Sequence, residues 1–235
     1  MSGSSPLDGT NWVLIGPSNA VAAATPAVEV TIGFTGDRVS GTSGCNRFHG
    51  SYLLDDGGCT IGPLAVTMMA CEPAAMEVER DVLARLARTA ALALADDLAT
   101  LTLLDTEGAE LLTYAAQGAG EMLGRWLVTS IHHPAREAIT SVTGDRELAV
   151  EFADGSIAGD AGCNRFRGTC TIDGNDLVCG PLMTTRKWCG DEVMEQEHAL
   201  LAALADTVGF RLEGSRLTLL RPDGGIAVSL CRPDA

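Results

Sequence analysis

The sequence has few aromatic residues and few basic ones. Only 4% of its 235 residues are Phe, Trp or Tyr, so any core has to be built mainly from Ala, Val, Leu and Ile. Sixteen Lys and Arg residues stand against 31 Asp and Glu residues, which gives a formal net charge of −15. Because an acidic surface repels phosphate backbones, no nucleic-acid partner is expected. No apolar run reaches the roughly 18 residues of a membrane span.

Several chemical signatures are also missing. The sequence contains no P-loop, dinucleotide fingerprint or nucleophile elbow, so no cofactor is predicted. No His, Cys and Asp spacing assembles a zinc site, and no two cysteines are separated by only two residues. The Asp-rich turns lack the ligand pattern of a calcium loop. The sequence therefore predicts no metal site and no catalytic residue.

Cysteine, by contrast, is plentiful, with eight residues in the chain. An even number of cysteines favours structural disulfides, which persist in oxidising compartments. Buried thiols or one reactive thiol among inert ones are the alternatives. Met1–Pro6 has neither the basic nor the apolar region of a signal peptide. We therefore expect an extracytoplasmic protein, secreted or envelope-anchored, whose signal and any lipid anchor are absent from this sequence; a cytoplasmic protein is the alternative.

An internal repeat organises the chain. Residues 44–50 (GCNRFHG) recur as residues 162–168 (GCNRFRG), a shift of 118, and Gly-Pro-Leu at 62–64 recurs at 180–182 with the same shift. A period of this size is a domain rather than a solenoid unit. The sequence predicts two tandem domains, 6–116 and 120–232, joined by a small-residue linker. Because each copy can bury only a modest core, disulfides or docking between the two copies would help to stabilise it.

Each copy combines the two main periodicities. Short alternating runs separated by Asp, Gly and Asn turns predict strands and hairpins. One longer helical pattern follows in each copy, over residues 73–88 and 191–205. The predicted fold class is therefore α+β, with each repeat a mostly antiparallel sheet and one packed helix.

The repeated residues resemble a known family. The first copy reads GCNRFHG at 44–50 and then GPLAVTMMAC at 62–71, and an acidic helix follows. This pattern is similar to that of the META domain (HslJ-like) family. The second copy keeps GCNRF and GPL but departs from the pattern at 184–189 (TTRKWC), where it lacks the Met and Ala.

The resemblance implies small bacterial envelope proteins, often lipoproteins, associated with the heat-shock response and with novobiocin resistance. The family has no established catalytic residues, so none is carried over. We accordingly expect a non-enzymatic envelope protein that supports stress tolerance or binds a partner, either a protein or a small ligand.

Four of the cysteines recur between the copies. Cys45 and Cys71 match Cys163 and Cys189, so one geometry should hold both pairs. A disulfide that closes a loop of about 25 residues would stabilise each copy by roughly 3 kcal/mol. A catalytic Cys45 or Cys163 would need an activating base, and the nearby His49 is not repeated in the second copy.

The other four cysteines do not recur. Cys170 and Cys179 flank a short hairpin whose register places them directly opposite one another, close enough for a cross-strand bridge. Cys59 and Cys231 remain unassigned; they could join the two domains or stay free and buried. The alternative function is a thiol-dependent redox or hydrolytic enzyme that uses one of these two unpaired cysteines.

The Asn-Arg pair of each motif is the remaining candidate. Asn46 and Arg47 recur as Asn164 and Arg165. They could form a ligand site, but an Asn after a Gly-Cys corner more often satisfies backbone groups in a turn. The arginines are expected to pair with carboxylates on the helices, at positions 77 or 79 and 195 or 197. Those glutamates are expected to be solvated or salt-bridged rather than to act as acid–base groups.

Overall fold

The structure is a computed structural model that describes residues 6–16, 28–55, 58–133, 138–142 and 146–233. Its contacts divide the chain into two units, Met1–Gln117 (unit 1) and Gly118–Ala235 (unit 2). Each unit has its own hydrophobic core. Within the described ranges, no helix is long and apolar enough to cross a bilayer.

Unit 1 is an antiparallel sheet with one long helix among its described residues. Its elements are β1 (Asn11–Gly16), β2 (Val30–Thr35), β3 (Arg38–Ser43), β4 (Arg47–Asp55), β5 (Gly58–Ile61), β6 (Ala65–Val66), α1 (Pro73–Leu86), β7 (Ala91–Leu94), β8 (Thr100–Leu104) and β9 (Glu110–Gln117). The strand order is β5-β4-β3-β2-β1-β9-β8-β7, with β6 paired to β4. Cys59 N–H donates to the Ala90 carbonyl at 2.8 Å, so the two ends of the sheet approach one another.

Unit 2 repeats this order and closes the sheet on itself. Its elements are α2 (Ala119–Met122), β10 (Gly124–His133), β11 (Ala138–Ser141), β12 (Ala149–Ala153), β13 (Ser156–Asp160), β14 (Arg165–Asp173), β15 (Asp176–Cys179), β16 (Met183–Thr184), α3 (Asp191–Ala205), β17 (Gly209–Glu213), β18 (Arg216–Leu220) and β19 (Ile226–Cys231). Because β15 pairs with β17 and β10 pairs with both β12 and β19, the strands form a continuous ring. The short helix α2 was not predicted; its Met122 carbonyl accepts a hydrogen bond from Trp126 Nε1 at 2.7 Å.

One face of each long helix enters the core. In α1 the buried apolar residues are Val78, Val82 and Leu86, and in α3 they include Leu200 and Leu204. Burying each such side chain contributes about 1.5–3 kcal/mol. The predicted α+β class with two tandem repeats is therefore confirmed.

The expected linker is partly a strand. Ala116 lies opposite Trp12 and Gln117 opposite Asn11, so the last residues of unit 1 pair with its first strand. The small residues of this segment fit because they line a paired strand next to a buried Trp. The segment between the units is consequently shorter than its composition suggests.

Candidate functional site

The repeated asparagine binds the repeated glutamate inside each unit. Asn46 is 2% exposed and directly precedes β4. Its backbone N–H donates to Glu79 Oε2 at 2.8 Å, and its Nδ2 donates to Glu79 Oε1 at 3.2 Å. The motif turn is therefore attached to helix α1 through one buried carboxylate.

The same asparagine also holds the loop that precedes the helix. Asn46 Oδ1 accepts hydrogen bonds from Met69 N at 2.7 Å and from Thr67 Oγ1 at 2.8 Å. Its Nδ2 also donates to the Met69 carbonyl at 3.2 Å. We call Asn46, Thr67 and Glu79 the signature clamp of unit 1, because together they join the turn, the loop and the helix.

Unit 2 contains the same signature clamp, formed by Asn164, Thr185 and Glu197. Asn164 N–H donates to Glu197 Oε2 at 2.9 Å, and Nδ2 donates to Oε1 at 3.0 Å. Asn164 Oδ1 accepts from Thr185 Oγ1 and from Lys187 N, both at 2.7 Å. The two repeats differ in sequence around these residues, but both form the same hydrogen-bond network.

This network corrects the expectation about the helix glutamates. Glu79 and Glu197 are 9% and 3% exposed, so they are not solvated. They accept hydrogen bonds from the motif asparagines rather than from Arg47 and Arg165, whose side chains are exposed. Glu77, the other expected partner in unit 1, forms an ion pair with Arg80 at 3.5 Å. A buried carboxylate needs several hydrogen-bond donors, and the amide and backbone N–H groups supply them.

Two disulfides anchor the loops that the clamps hold. Cys45 is bonded to Cys71 and Cys163 to Cys189, and in both pairs the Cα atoms are 5.9 Å apart. Each loop is therefore fixed twice, once by the clamp and once by a disulfide near the start of the helix. No thiolate remains at these four positions.

Cys170 and Cys179 lie opposite one another on β14 and β15, in the predicted register. The bridge expected between them is absent, because both are free thiols that form a hydrogen bond. Register fixes the spacing of two thiols, but their redox state is a separate matter.

Cys59 and Cys231 are also free thiols; Cys59 is buried and Cys231 is partly buried. Burial, together with the nearby Asp55 carboxylate, raises the pKa of Cys59 to about 11. A thiolate at this position is therefore disfavoured at neutral pH.

Each fixed loop presents large side chains to solvent. In unit 1 the side chains of Met68 and Met69 are 98% and 55% exposed. In unit 2 the corresponding loop carries Arg186, Lys187 and Trp188, and Trp188 is 75% exposed. The sequence reasoning missed this feature, although the departure of residues 184–189 from the family pattern was a signal for it.

A charged cleft of about 890 Å³ lies beside the loop of unit 2. Strands β10, β12, β13 and β14 and the residues next to them contribute its charged lining, which comprises Arg125, Glu147, Glu151, Asp160, Arg165 and Arg167. Arg125 forms an ion pair with Glu147. Within the described part of the chain, no three His, Cys, Asp or Glu side chains come together as a metal site.

Comparison with protein families gives one match. The model of the META domain family matches residues 5–118 and again residues 121–232. Comparison with curated proteins gives no match.

Solved structures similar to the chain cover about half of it. An NMR structure of a protein from Burkholderia xenovorans has 29% identity, covers 50% of this chain and 94% of that one, and has a TM-score of 0.38. A second NMR structure has 22% identity, covers 47% and 92% of the two chains, and also has a TM-score of 0.38. A crystal structure of a DUF4847 family protein from Bacteroides vulgatus has 14% identity, covers 46% and 91%, and has a TM-score of 0.33.

Proposed function

Because the chain belongs to the META domain family as two tandem copies, we propose that it is a non-enzymatic protein that binds a partner outside the cytoplasm. The observation that carries this proposal is the repeated signature clamp. In this clamp the polar side chains of the motif form hydrogen bonds within the protein, and these bonds hold a surface loop in place. A loop fixed in this way can bind with a smaller loss of conformational entropy.

The chemistry of the repeated residues supports a binding role rather than catalysis. Asn46 and Glu79 bind one another in a buried position, where a substrate has no access to them. The cysteines of the motif are in disulfides, and the raised pKa of Cys59 disfavours a nucleophilic thiolate there. The thiol-dependent alternative therefore loses one of its two candidate residues.

The disulfides support the location. Two disulfides at equivalent places are typical of a protein that folds in an oxidising compartment. In the envelope, such a module would contribute to stress tolerance by holding its partner under conditions that unfold less constrained proteins.

Counting thiols tests the location. The chain is taken from intact host cells and alkylated under denaturing, non-reducing conditions. We expect Cys45, Cys71, Cys163 and Cys189 to be protected until a reductant is added. Alkylation of all eight cysteines without reductant would contradict the extracytoplasmic location.

A turnover screen tests the absence of catalysis. The full chain is incubated with generic ester, peptide, phosphate and disulfide substrates, and we expect no turnover above the buffer rate. Reproducible turnover that is abolished by one side-chain substitution would contradict the non-enzymatic assignment.

A further inference from the structure

We propose that unit 2 has a docking site for an acidic peptide segment of another protein, formed by Trp188, Arg165 and Arg167. This inference rests on the proposed function and names the chemistry of the partner. Its starting point is the exposure of Trp188, because Trp12 and Trp126 are 2% and 0% exposed whereas Trp188 is 75% exposed. Trp and Arg are the residues that most often dominate the energy of a protein interface.

The backbone around Trp188 is held on both sides. Lys187 N donates to Asn164 Oδ1 at 2.7 Å, and the Lys187 carbonyl accepts from Asn164 Nδ2 at 3.0 Å. Cys189, the next residue after Trp188, is in the disulfide with Cys163. The indole is therefore presented by a fixed backbone, which lowers the entropy cost of binding through it.

Two arginines lie on the strand next to this loop. Arg165 and Arg167 are exposed and lie two residues apart on β14, so their side chains share one face about 7 Å apart. Among the described residues, neither guanidinium forms an ion pair or donates a hydrogen bond. Arg167 lies opposite Ala158 on β13 and Met183 on β16, neither of which has a charge. Arg165 lies opposite Asp160 but forms no ion pair with it. An unpaired guanidinium is well suited to bidentate binding of a carboxylate.

The loop that carries Trp188 begins beside the arginines. Thr185 N donates to the Arg165 carbonyl at 3.0 Å, so the loop begins directly beside Arg165. Trp188 follows three residues later, so its Cα lies within about 11 Å of the Cα of Thr185. A segment that places a carboxylate on the arginines can therefore reach the indole with a neighbouring apolar side chain.

The shape and charge of the cleft favour a peptide over a membrane surface. The cleft is concave, and the small side chains of Ala149 and Ala158 are among its lining residues, which leaves room for a backbone. Its lining also includes Glu151 and Asp160, which oppose the dense negative charge of an anionic bilayer. A peptide with one or two carboxylates can direct them to Arg167, whose cross-strand neighbours Ala158 and Met183 are uncharged.

Unit 1 supplies a natural control because it lacks this combination. With the shift of 118, Trp188 corresponds to Ala70, Arg167 to His49 and Arg165 to Arg47. Arg47→Ala removes the same charge from the chain as Arg165→Ala does, but it does so in the unit without the exposed indole.

The test uses the full chain with both disulfides intact and a displayed library of short random peptides. We expect the enriched peptides to carry Asp or Glu beside an apolar residue. A synthetic peptide of that sequence should shift the fluorescence of Trp188 on binding. Its affinity should fall by about tenfold or more with Trp188→Ala, with the Arg165→Ala/Arg167→Ala double variant, or with amides in place of the peptide carboxylates. Arg47→Ala should leave the affinity unchanged.

Several outcomes would overturn the proposal: no enrichment, enrichment of peptides without acidic residues, or affinity that does not respond to the unit 2 variants. Vesicles of phosphatidylglycerol and phosphatidylcholine are tested in parallel. Binding to them that depends on Trp188, without any acidic peptide, would place a bilayer at this surface instead. A peptide that binds elsewhere on the chain overturns this site but leaves the proposed function standing. An unchanged urea-unfolding midpoint in every variant shows that the fold is retained.

Discussion

Units 1 and 2 differ in many side chains but share the spacing of the signature clamp. In both units the asparagine is 33 residues from the glutamate and 21 residues from the threonine. The surrounding positions differ between the units: Ser43, Tyr52 and Ala70 of unit 1 correspond to Ala161, Cys170 and Trp188 of unit 2. The common positions hold the fold, and the differing ones give each unit its own stability and surface.

The largest effect is expected from Asn164→Ala. This change removes all the side-chain hydrogen bonds of Asn164 and leaves the buried Glu197 with the backbone N–H of residue 164, so it should cost about 3 kcal/mol. In unit 1, Asn46→Ala should cost less, because the Ser43 hydroxyl still donates to Glu79 Oε2 at 3.2 Å. Hydrogen exchange of each unit in urea measures both losses.

The matched control for this comparison is Thr171→Ala, an exposed position on β14. It should leave the free energy of unfolding of unit 2 within about 0.5 kcal/mol of the original value. A cost below about 1 kcal/mol for Asn164→Ala would mean that the clamp is not the element that holds unit 2 together.

The next effect is expected from the thiol pair of unit 2. Gly180 N donates to the Thr169 carbonyl at 2.9 Å, so Cys170 and Cys179 form the adjacent, non-hydrogen-bonded pair, whose Cα atoms lie about 4.5 Å apart. The hydrogen bond from Cys179 lowers the pKa of Cys170, which favours the thiolate form within the pair.

Oxidised glutathione should therefore join the pair, with release of two molecules of reduced glutathione and loss of both thiol protons from the protein. The new disulfide should stabilise unit 2 by about 2 kcal/mol. Intact mass and urea unfolding measure the bridge and its effect. Tyr52→Cys/Ile61→Cys should create the same bridge in unit 1, since these residues occupy the same register. Failure of both pairs to oxidise would contradict the geometric argument.

A smaller difference between the units depends on pH. Because the pKa of Cys59 is raised from 9.0 to about 11 in the folded chain, its proton is bound more tightly there than in the unfolded chain. The contribution of the Cys59 thiol to the free energy of unfolding is fully present below pH 9 and is lost as the pH rises through about 11.

Unit 2 has Leu177 at the position of Cys59, so Cys59→Leu makes the two units alike. We expect this variant to lose less stability than the original chain between these two pH values, as measured by urea unfolding. An identical pH dependence in the two proteins would contradict the assignment of the effect to this thiol.

The smallest effect is expected from the hydroxyl that only unit 1 has. Ser43→Ala removes hydrogen bonds to Glu79 and to the Asn46 carbonyl, and it should cost about 1 kcal/mol. The reciprocal Ala161→Ser should cost nothing or add a fraction of this amount to unit 2. Thermal unfolding of the two single variants measures both changes. Equal losses in both units would show that the hydroxyl has no specific role in unit 1.

The tandem repeat, the register of one hairpin and the two long helices could be predicted from the sequence, because turn residues and hydrophobic periods are local signals. The register of Cys170 opposite Cys179 follows from the length of one hairpin turn. The redox state of these thiols could not be predicted, since it depends on the oxidant that the chain meets.

The burial of Glu79 and Glu197 could not be predicted from periodicity alone. A glutamate on an amphipathic helix is normally solvated, and nothing within one or two turns of either residue reveals a partner 33 positions earlier in the chain. The informative signal was the recurrence of Asn and Glu with one common shift. That recurrence connects the two residues as a pair, whereas the arginine next to each asparagine suggested the wrong ion pair.

The order of the disulfides along the chain has a consequence for folding. Cys45 and Cys71 both precede Cys163 and Cys189, and each disulfide joins cysteines within one unit. During synthesis or export from the N-terminus, the first bond can close before the second pair of cysteines emerges. This order protects two similar domains from exchanging partners, which is a characteristic way for tandem repeats to misfold.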